Sequence, residues 1–466
     1  MGGEYGPNPG GELEFGDGLI QSDRTPNPQL FELRKVYAPV QFENFDAASG
    51  SLAVVNRNDF ADLSGYDFGW RIAADGVEVA RGDLPPLKTA ARGRETVTLA
   101  LPVIKRRPGS EYMLTIVAKA RDGLNLAVPA GEVIGWEQFA LGPVVPAVET
   151  IAPGPVELAK TGGKVRLAAS GAELVVDRVT GLVERYSVGG SMLLSGGAPN
   201  FTRAATDNDI GTKLVASHAV WAQASASRKV EGVDARRLGN GRAEVTVRYS
   251  VGDGVARFAT RFVMAADGAL AVEGELTPLQ AGLPDPVRVG LYFAMPQAFA
   301  KLSWYGRGPH ETYADRKTGA PIALWRGQIA EQNHDYMRPQ ETGNKVDVRW
   351  MELTRSSGTN LRVEGAAPLS MNALAFPYED LNRRPPGVAK SSDIVPRRHV
   401  SLLIDLAQTG VGGDDQWTAG GRALPRYRLP TGPIRYAFRL KPFDGPGTAP
   451  QAGLPASATS SPEIVR

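Results

Sequence analysis

The sequence predicts an all-β fold. Short runs in which apolar and polar residues alternate with a period of two recur along the chain, which places one face of each run on a core and the other in water. Turn-forming residues are frequent and evenly spread, with 54 Gly and 35 Pro in 466 residues. Long helical periodicity is almost absent, so antiparallel sheets are the economical reading.

Taken in order, residues 1–36 are rich in Gly and Pro and do not alternate. Residues 37–141 hold about seven short strands, enough for one immunoglobulin-like sandwich. Tyr66, Phe68, Trp70 and Ile72 alternate there, and Asp75-Gly76 supplies a hairpin-type turn. Val97, Leu99 and Leu101 alternate next, followed by Tyr112, Leu114, Ile116 and Ala118. Residues 142–157, with Pro143, Pro146, Pro153 and Pro155, read as a linker. Residues 158–443 form a larger all-β domain. Its clearest runs are Ala243, Val245, Val247 and Tyr249, then Phe258, Thr260, Phe262 and Met264, then Leu270, Val272, Gly274 and Leu276. The tail, 444–466, is rich in Pro, Gly, Ala and Ser and is expected to be disordered.

Composition removes several function classes. The net charge is +2 and the longest basic run is Lys105-Arg106-Arg107, read as a solvated turn, so neither nucleic acid nor an anionic membrane is called for. The chain has no Cys, which excludes disulfides, thiolate metal sites and cysteine nucleophiles. His218, His310, His334 and His399 lack the close spacing of a zinc site. No run approaches the roughly 20 apolar residues of a membrane span. The first residues lack the basic and apolar regions of a signal peptide, and a cytoplasmic location is the default expectation.

Four segments stand apart from the strand-and-turn background: Asn200 to Gly211, Trp304 to Arg316, Arg338 to Trp350, and Val411 to Trp417. Each sets carboxylates and an aromatic in or beside a Gly-containing loop, three of the four with side-chain amides as well, and such loops on a rigid scaffold are where binding groups usually sit. Sugars call for this mix, with flat rings to stack on C–H faces and polar forks for hydroxyls. The competing structural reading is that Asp207, Asp209, His310, Glu311 and Asp315 bond backbone or Arg to lock their loops. Trp417, beside Asp414-Asp415 in a Gly-rich loop, is less typical of a core position.

These four segments, in this order, resemble signature loops of the last domain of LacZ-type β-galactosidases, glycoside hydrolase family two. Gly2-Gly3-Glu4-Tyr5-Gly6, Asp17-Gly18-Leu19-Ile20 and Asp23-Arg24-Thr25-Pro26-Asn27-Pro28 resemble the end of that family's catalytic (β/α)8 barrel. The resemblance implies a barrel remnant at 1–36, a sandwich, and a large galactose-mutarotase-like β-supersandwich. It implies a retaining hydrolase of terminal β-D-galactosides such as lactose, whose two catalytic glutamates stand about 5–5.5 Å apart on barrel strands. Both would lie upstream of the motif that begins here, and the chain contains no Asn-Glu pair of the kind that marks the acid/base residue. By this resemblance the chain alone is inactive and needs the barrel, from the same parent chain or a separate subunit, as partner. Homo-oligomers also fit the family.

Carried over position by position, Trp417 resembles the platform for the aglycone. Asp17 falls on an asparagine that touches galactose and sodium, and Phe15 on an aromatic whose carbonyl faces that sodium. Magnesium ligands belong to the absent barrel. Gln340, Glu341, Thr342 and Gly343 match a mobile loop beside the site, whereas the Asn208 and His310 segments look like scaffold. Residues 1–36 should then expose apolar surface at Phe15, Leu19, Ile20 and Phe31. A non-catalytic carbohydrate-binding or assembly module is the alternative, and an aldose epimerase using His310 and Glu311 is a third. Adjacent strand residues face opposite sides, which weakens that pair.

Overall fold

The computed structural model describes residues 18–124, 127–144, 154–382, 388 and 390–447. The tail from 448, most of the expected linker, and both Phe15 and Asp17 fall outside them. The described chain divides into two compact units, Leu19–Val144 with Thr318–Leu324, and Gly154–Lys317 with Trp325–Gly447.

The first unit opens with helix α1 (Pro28–Val36), which has a proline in its first turn and Arg34 and Lys35 in its last. Both placements suit a helix, since proline costs nothing where no intrahelical donor is needed and cations complement the C-terminal carbonyls. Leu19 and Ile20 are exposed, and Phe31 is half-buried. Seven strands follow: β1 (Val40–Asp46), β2 (Ser51–Asn56), β3 (Tyr66–Ala74), β4 (Val77–Asp83), β5 (Arg94–Thr98), β6 (Tyr112–Ala120) and β7 (Val133–Ala140). They make a three-stranded sheet, β1-β2-β5, and a four-stranded sheet, β4-β3-β6-β7. Tyr66, Phe68, Ile72, Tyr112, Leu114, Ile116 and Ala118 share one core, with Val97 and Leu101 packed at its margin. The β3–β4 turn is Asp75-Gly76, both at positive φ (50° and 81°), with Ala74 paired to Val77. That is the two-residue hairpin whose twist matches the strands.

The second unit carries β8 (Glu157–Thr161), β9 (Lys164–Ala169), β10 (Ala172–Asp177), β11 (Val183–Val188), β12 (Ser191–Asn200), β13 (Arg228–Arg237), β14 (Ala243–Val251), β15 (Ala256–Met264), β16 (Leu270–Pro278), β17 (Arg288–Met295), β18 (Phe299–Arg307), β19 (Ile322–Gln328, from Trp325 on), β20 (Lys345–Arg355), β21 (Asn360–Leu374), β22 (Val400–Gln408) and β23 (Ile434–Phe443). The main ladder runs β13-β14-β15-β16-β23-β21-β22-β17-β12-β11-β10-β9-β8, with β18 to β20 branching from β21. Its pairs are antiparallel. The fold class is therefore all-β, a seven-stranded sandwich followed by a supersandwich.

The alternation read from sequence sets the register here. Tyr249, Phe258 and Leu276 line up across β14, β15 and β16, as do Val245, Phe262 and Val272, and all six are buried. Gly274 faces Tyr436 across β16 and β23, and a Cβ there would stand 2.4 Å from the Tyr436 ring. A glycine in this strand thus makes room for an aromatic neighbour. Between β12 and β13 lie three short helices, α2 (Asp207–Gly211), α3 (Leu214–Ser217) and α4 (Ala219–Ala226). None is long enough to show periodicity in sequence.

Candidate functional site

The four unusual segments meet in the supersandwich, and most of their polar groups are spent on one another. In the first segment Arg203 is buried and holds Asp209 through two parallel bonds of 2.8 Å. Its remaining donors reach the carbonyls of Thr409 (2.7 Å) and Gly410 (2.9 Å) at the root of the fourth segment. Thr206 and Asp209 cap the start of α2 reciprocally. Asp207 accepts from Arg338 Nε and Gln340 Nε2, each at 2.9 Å, tying the first segment to the third.

The second segment is held the same way. Glu311 is buried and accepts from Gly343 N (2.8 Å), Thr342 Oγ1 (3.1 Å), Arg316 and Tyr336. Burial works to raise its carboxyl, but the Arg316 charge, His334 and these bonds outweigh it and hold the group below the usual carboxylate range. Asp315 accepts from Val411 N (3.0 Å) and Gly412 N (2.8 Å), so the second segment supports the fourth. Burial, with the Arg316 and Lys345 charges nearby, pulls His310 down to about 3 and keeps it neutral. With both Glu311 oxygens engaged, the pair lacks the accessible acid and base an epimerase requires.

Gln340, Glu341, Thr342 and Gly343, expected as a loop beside the substrate, lie within this packed layer: the first three side chains are buried, and the Gly343 amide is bonded to Glu311. Glu341 accepts from Arg288 Nη2 (2.6 Å), Tyr378 OH (2.5 Å) and Gln408 Nε2 (3.0 Å). Arg288 in turn pairs with Asp405 at 3.2 Å, and all three charged side chains are fully buried. Burial pushes Asp405 up to about 7, with Arg288 opposing and Glu341 adding to the rise. A Cβ at Gly290 would stand 1.7 Å from Asp405 Oδ1, so the strand is bare where the carboxylate lies. Sequence reasoning missed Arg203, Arg288, Tyr378 and Asp405. The available signal was a charge inside a buried apolar run, Arg288 before Val-Gly-Leu-Tyr-Phe and Asp405 within Leu-Leu-Ile-Asp-Leu.

Ser217, His218 and Asp285 line up in the order of a nucleophile, base and orienting carboxylate. The geometry is wrong for that role. Arg422, which can only donate, bonds His218 Nε2 at 2.9 Å, so the imidazole proton sits on Nδ1 and points at Ser217 Oγ, 2.8 Å away.

What remains outward is Trp417. It is 72% exposed, whereas Trp221, Trp304 and Trp350 are buried and Trp70, Trp136 and Trp325 half-buried. Its turn is nonetheless ordered. Asp415 Oδ1 accepts from Trp417 N (3.0 Å) and Thr418 N (2.8 Å), and Asp414 N donates to Gly420 O (2.7 Å). The arrangement can offer a flat apolar face at a fixed place. Among the described residues no group of three or more His, Asp or Glu side chains is gathered for a metal. No helix among them is long and apolar enough to cross a membrane.

Residues 168–440 match the family model of the β-galactosidase small chain, and residues 52–142 match domain 4 of β-galactosidase. The chain belongs to the β-galactosidase small-chain family. A β-galactosidase of Priestia megaterium is 33% identical over 453 residues, covering 95% of this chain and 42% of that protein. β-Galactosidase BgaC of Bifidobacterium adolescentis is 31% identical over 458 residues, with the same two coverages. This small-chain family member thus spans 42% of the length of those relatives. Among solved structures, galactose 1-epimerase from Lactobacillus acidophilus covers 64% of this chain and all of its own at 8% identity, with a TM-score of 0.30. The α-galactosidase AgaB from Geobacillus stearothermophilus covers 62% of this chain and 41% of its own at 5% identity, with a TM-score of 0.33. Likenesses at that level carry no functional argument.

Proposed function

We propose that this chain serves as the C-terminal part of a retaining β-galactosidase, acting on lactose-like β-D-galactosides together with a catalytic barrel. In this reading the barrel holds the two glutamates and the magnesium. One glutamate attacks the anomeric carbon while the other protonates the leaving oxygen, and water then releases the galactosyl group. The contribution of this chain is to receive the leaving sugar, whose C–H face stacks on the Trp417 indole. A sodium contact through Asp17 and the Phe15 carbonyl belongs to the same proposal, and both residues lie outside the described part.

The observation that carries the reading is an exposed tryptophan on an ordered turn, in loops where Asp207, Asp209, Glu311, Asp315, Glu341 and Asp415 already accept from side-chain or backbone donors. A packed set of engaged carboxylates can hold a platform in place but cannot perform acid–base chemistry on a sugar. The purified chain is expected not to hydrolyse a chromogenic β-galactoside. Activity is expected to appear when it is mixed with the remaining part of the Priestia megaterium relative, expressed separately. Turnover by the chain alone would refute the division of labour. Galactoside binding that the chain achieves unaided and loses on Trp417→Ala, with no activity on mixing, would favour a binding module instead.

A further inference from the structure

We propose that Asn208 is a positioning residue for Trp417, fixing the indole where a sugar ring can stack; the substrate part of this rests on the platform reading above. The Asn208 side-chain amide donates both its hydrogens, one to the carbonyl of Asp415 (2.9 Å) and one to the carbonyl of Gly421 (2.9 Å). Those carbonyls stand on the two arms of the turn that carries Trp417. One amide therefore closes the base of the turn, while Asp415 Oδ1 orders its tip. A primary amide is suited to this, because it offers two N–H donors in a fixed fork.

The clamp works only if Asn208 itself is fixed, and three observations fix it. Thr206 and Asp209 cap α2 on either side of Asn208. Buried Arg203 joins Asp209 to the carbonyls of Thr409 and Gly410, which lead into the same turn. The helix also lies hard against the turn, since a Cβ at Gly211 would stand 1.7 Å from the Gln416 carbonyl oxygen, next to Trp417. An indole held in advance loses less freedom when a sugar stacks on it, so the clamp acts on affinity through pre-organisation.

The test uses the full chain with Asn208→Ala and with Asn208→Asp, which keeps the volume but sets oxygens against two carbonyls. Amide hydrogen exchange at Trp417, Thr418 and Gly421 is expected to accelerate by about tenfold or more in both, while amides of β14 to β16 keep their rates. Glucose is titrated into each protein while the Trp417 indole N–H signal is followed by NMR, assigned by its loss in Trp417→Phe. The dissociation constant is expected to rise by about tenfold on loss of the clamp. In a Trp417→Ala background, with glucose followed at the Thr418 amide instead, Asn208→Ala is expected to weaken binding no further. Should Asn208→Ala fail to fold, Asn208→Asp carries the same measurements. Unchanged exchange in the turn overturns the clamp. Weakening by Asn208→Ala that persists without Trp417 overturns action through the indole. An unmodified chain that gives no response to glucose overturns the platform reading instead, and the exchange rates still decide the clamp.

Discussion

Replacing Arg288 with methionine should cost the supersandwich a large part of its stability. The guanidinium and the Glu341 and Asp405 carboxyls are each fully buried. Removing one partner of a buried pair costs about 3–5 kcal/mol, because the other charge stays desolvated. The damage centres on Glu341, since Asp405 already sits at about 7 and can take up a proton instead. Tyr378 also loses its role as acceptor for Arg288 Nη1 at 2.9 Å. Set against a typical net stability of about 5–15 kcal/mol, this leaves the domain marginal or unfolded. Urea unfolding followed by tryptophan fluorescence measures it. With a slope of about 3 kcal/mol per molar, the midpoint should fall by about 1 M or more. The triple variant Arg288→Met, Glu341→Gln, Asp405→Asn should recover much of the loss, because no unpaired charge remains. A loss below about 1 kcal/mol, or a triple variant no better than the single one, would refute the argument.

Three further outcomes follow from the same geometry. Asp405 has a folded pKa raised to about 7 from the ordinary 3.8, so its contribution to stability is fully present below the unfolded value and lost as pH rises through 7; Asp405→Asn should flatten that decline in melting temperature between about pH 4 and 7. Glu311 is held below its ordinary value, so its contribution is present above the unfolded pKa and lost as pH falls through the lowered folded one; Glu311→Gln should lower stability at neutral pH by about 2 kcal/mol or more and weaken the acid-side loss. Gly290→Ala should destabilise strongly, given the 1.7 Å approach of Asp405 Oδ1, and pairing it with Asp405→Ala should restore part of the melting temperature. If the pair is simply additive, the steric account is wrong.

The sandwich and the three strands β14 to β16 were legible because a period-two pattern fixes which face of a strand is buried. Asp75-Gly76 was legible because both residues accept positive φ. The polar layer was not. Alternation puts Arg288 and Asp405 on the inward side of their strands, yet nothing local says that Glu341, 53 residues away from Arg288, will meet them. Long-range partners of this kind exist only after the ladder has formed. Helices α2 to α4 escaped notice because four to eight residues are too few for a 3.6-residue pattern. Asp207, Asp209, Glu311 and Asp315 illustrate how one composition serves two purposes: the residue types that could bind a sugar are also those that lock loops, and only their partners tell which role they play.

The place of β23 has a consequence for how the supersandwich is made. It is the last strand in the described chain, but it lies between β16 and β21 and joins the β13–β16 half of the ladder to the rest. Until Ile434–Phe443 leaves the ribosome, two half-sheets wait with open edges that any other extended chain could occupy. The ladder is thus continuous only once this strand has been made, and loss of these ten residues would leave both edges exposed however intact the earlier sequence. A nascent chain of this kind is expected to be a chaperone client until β23 is in place.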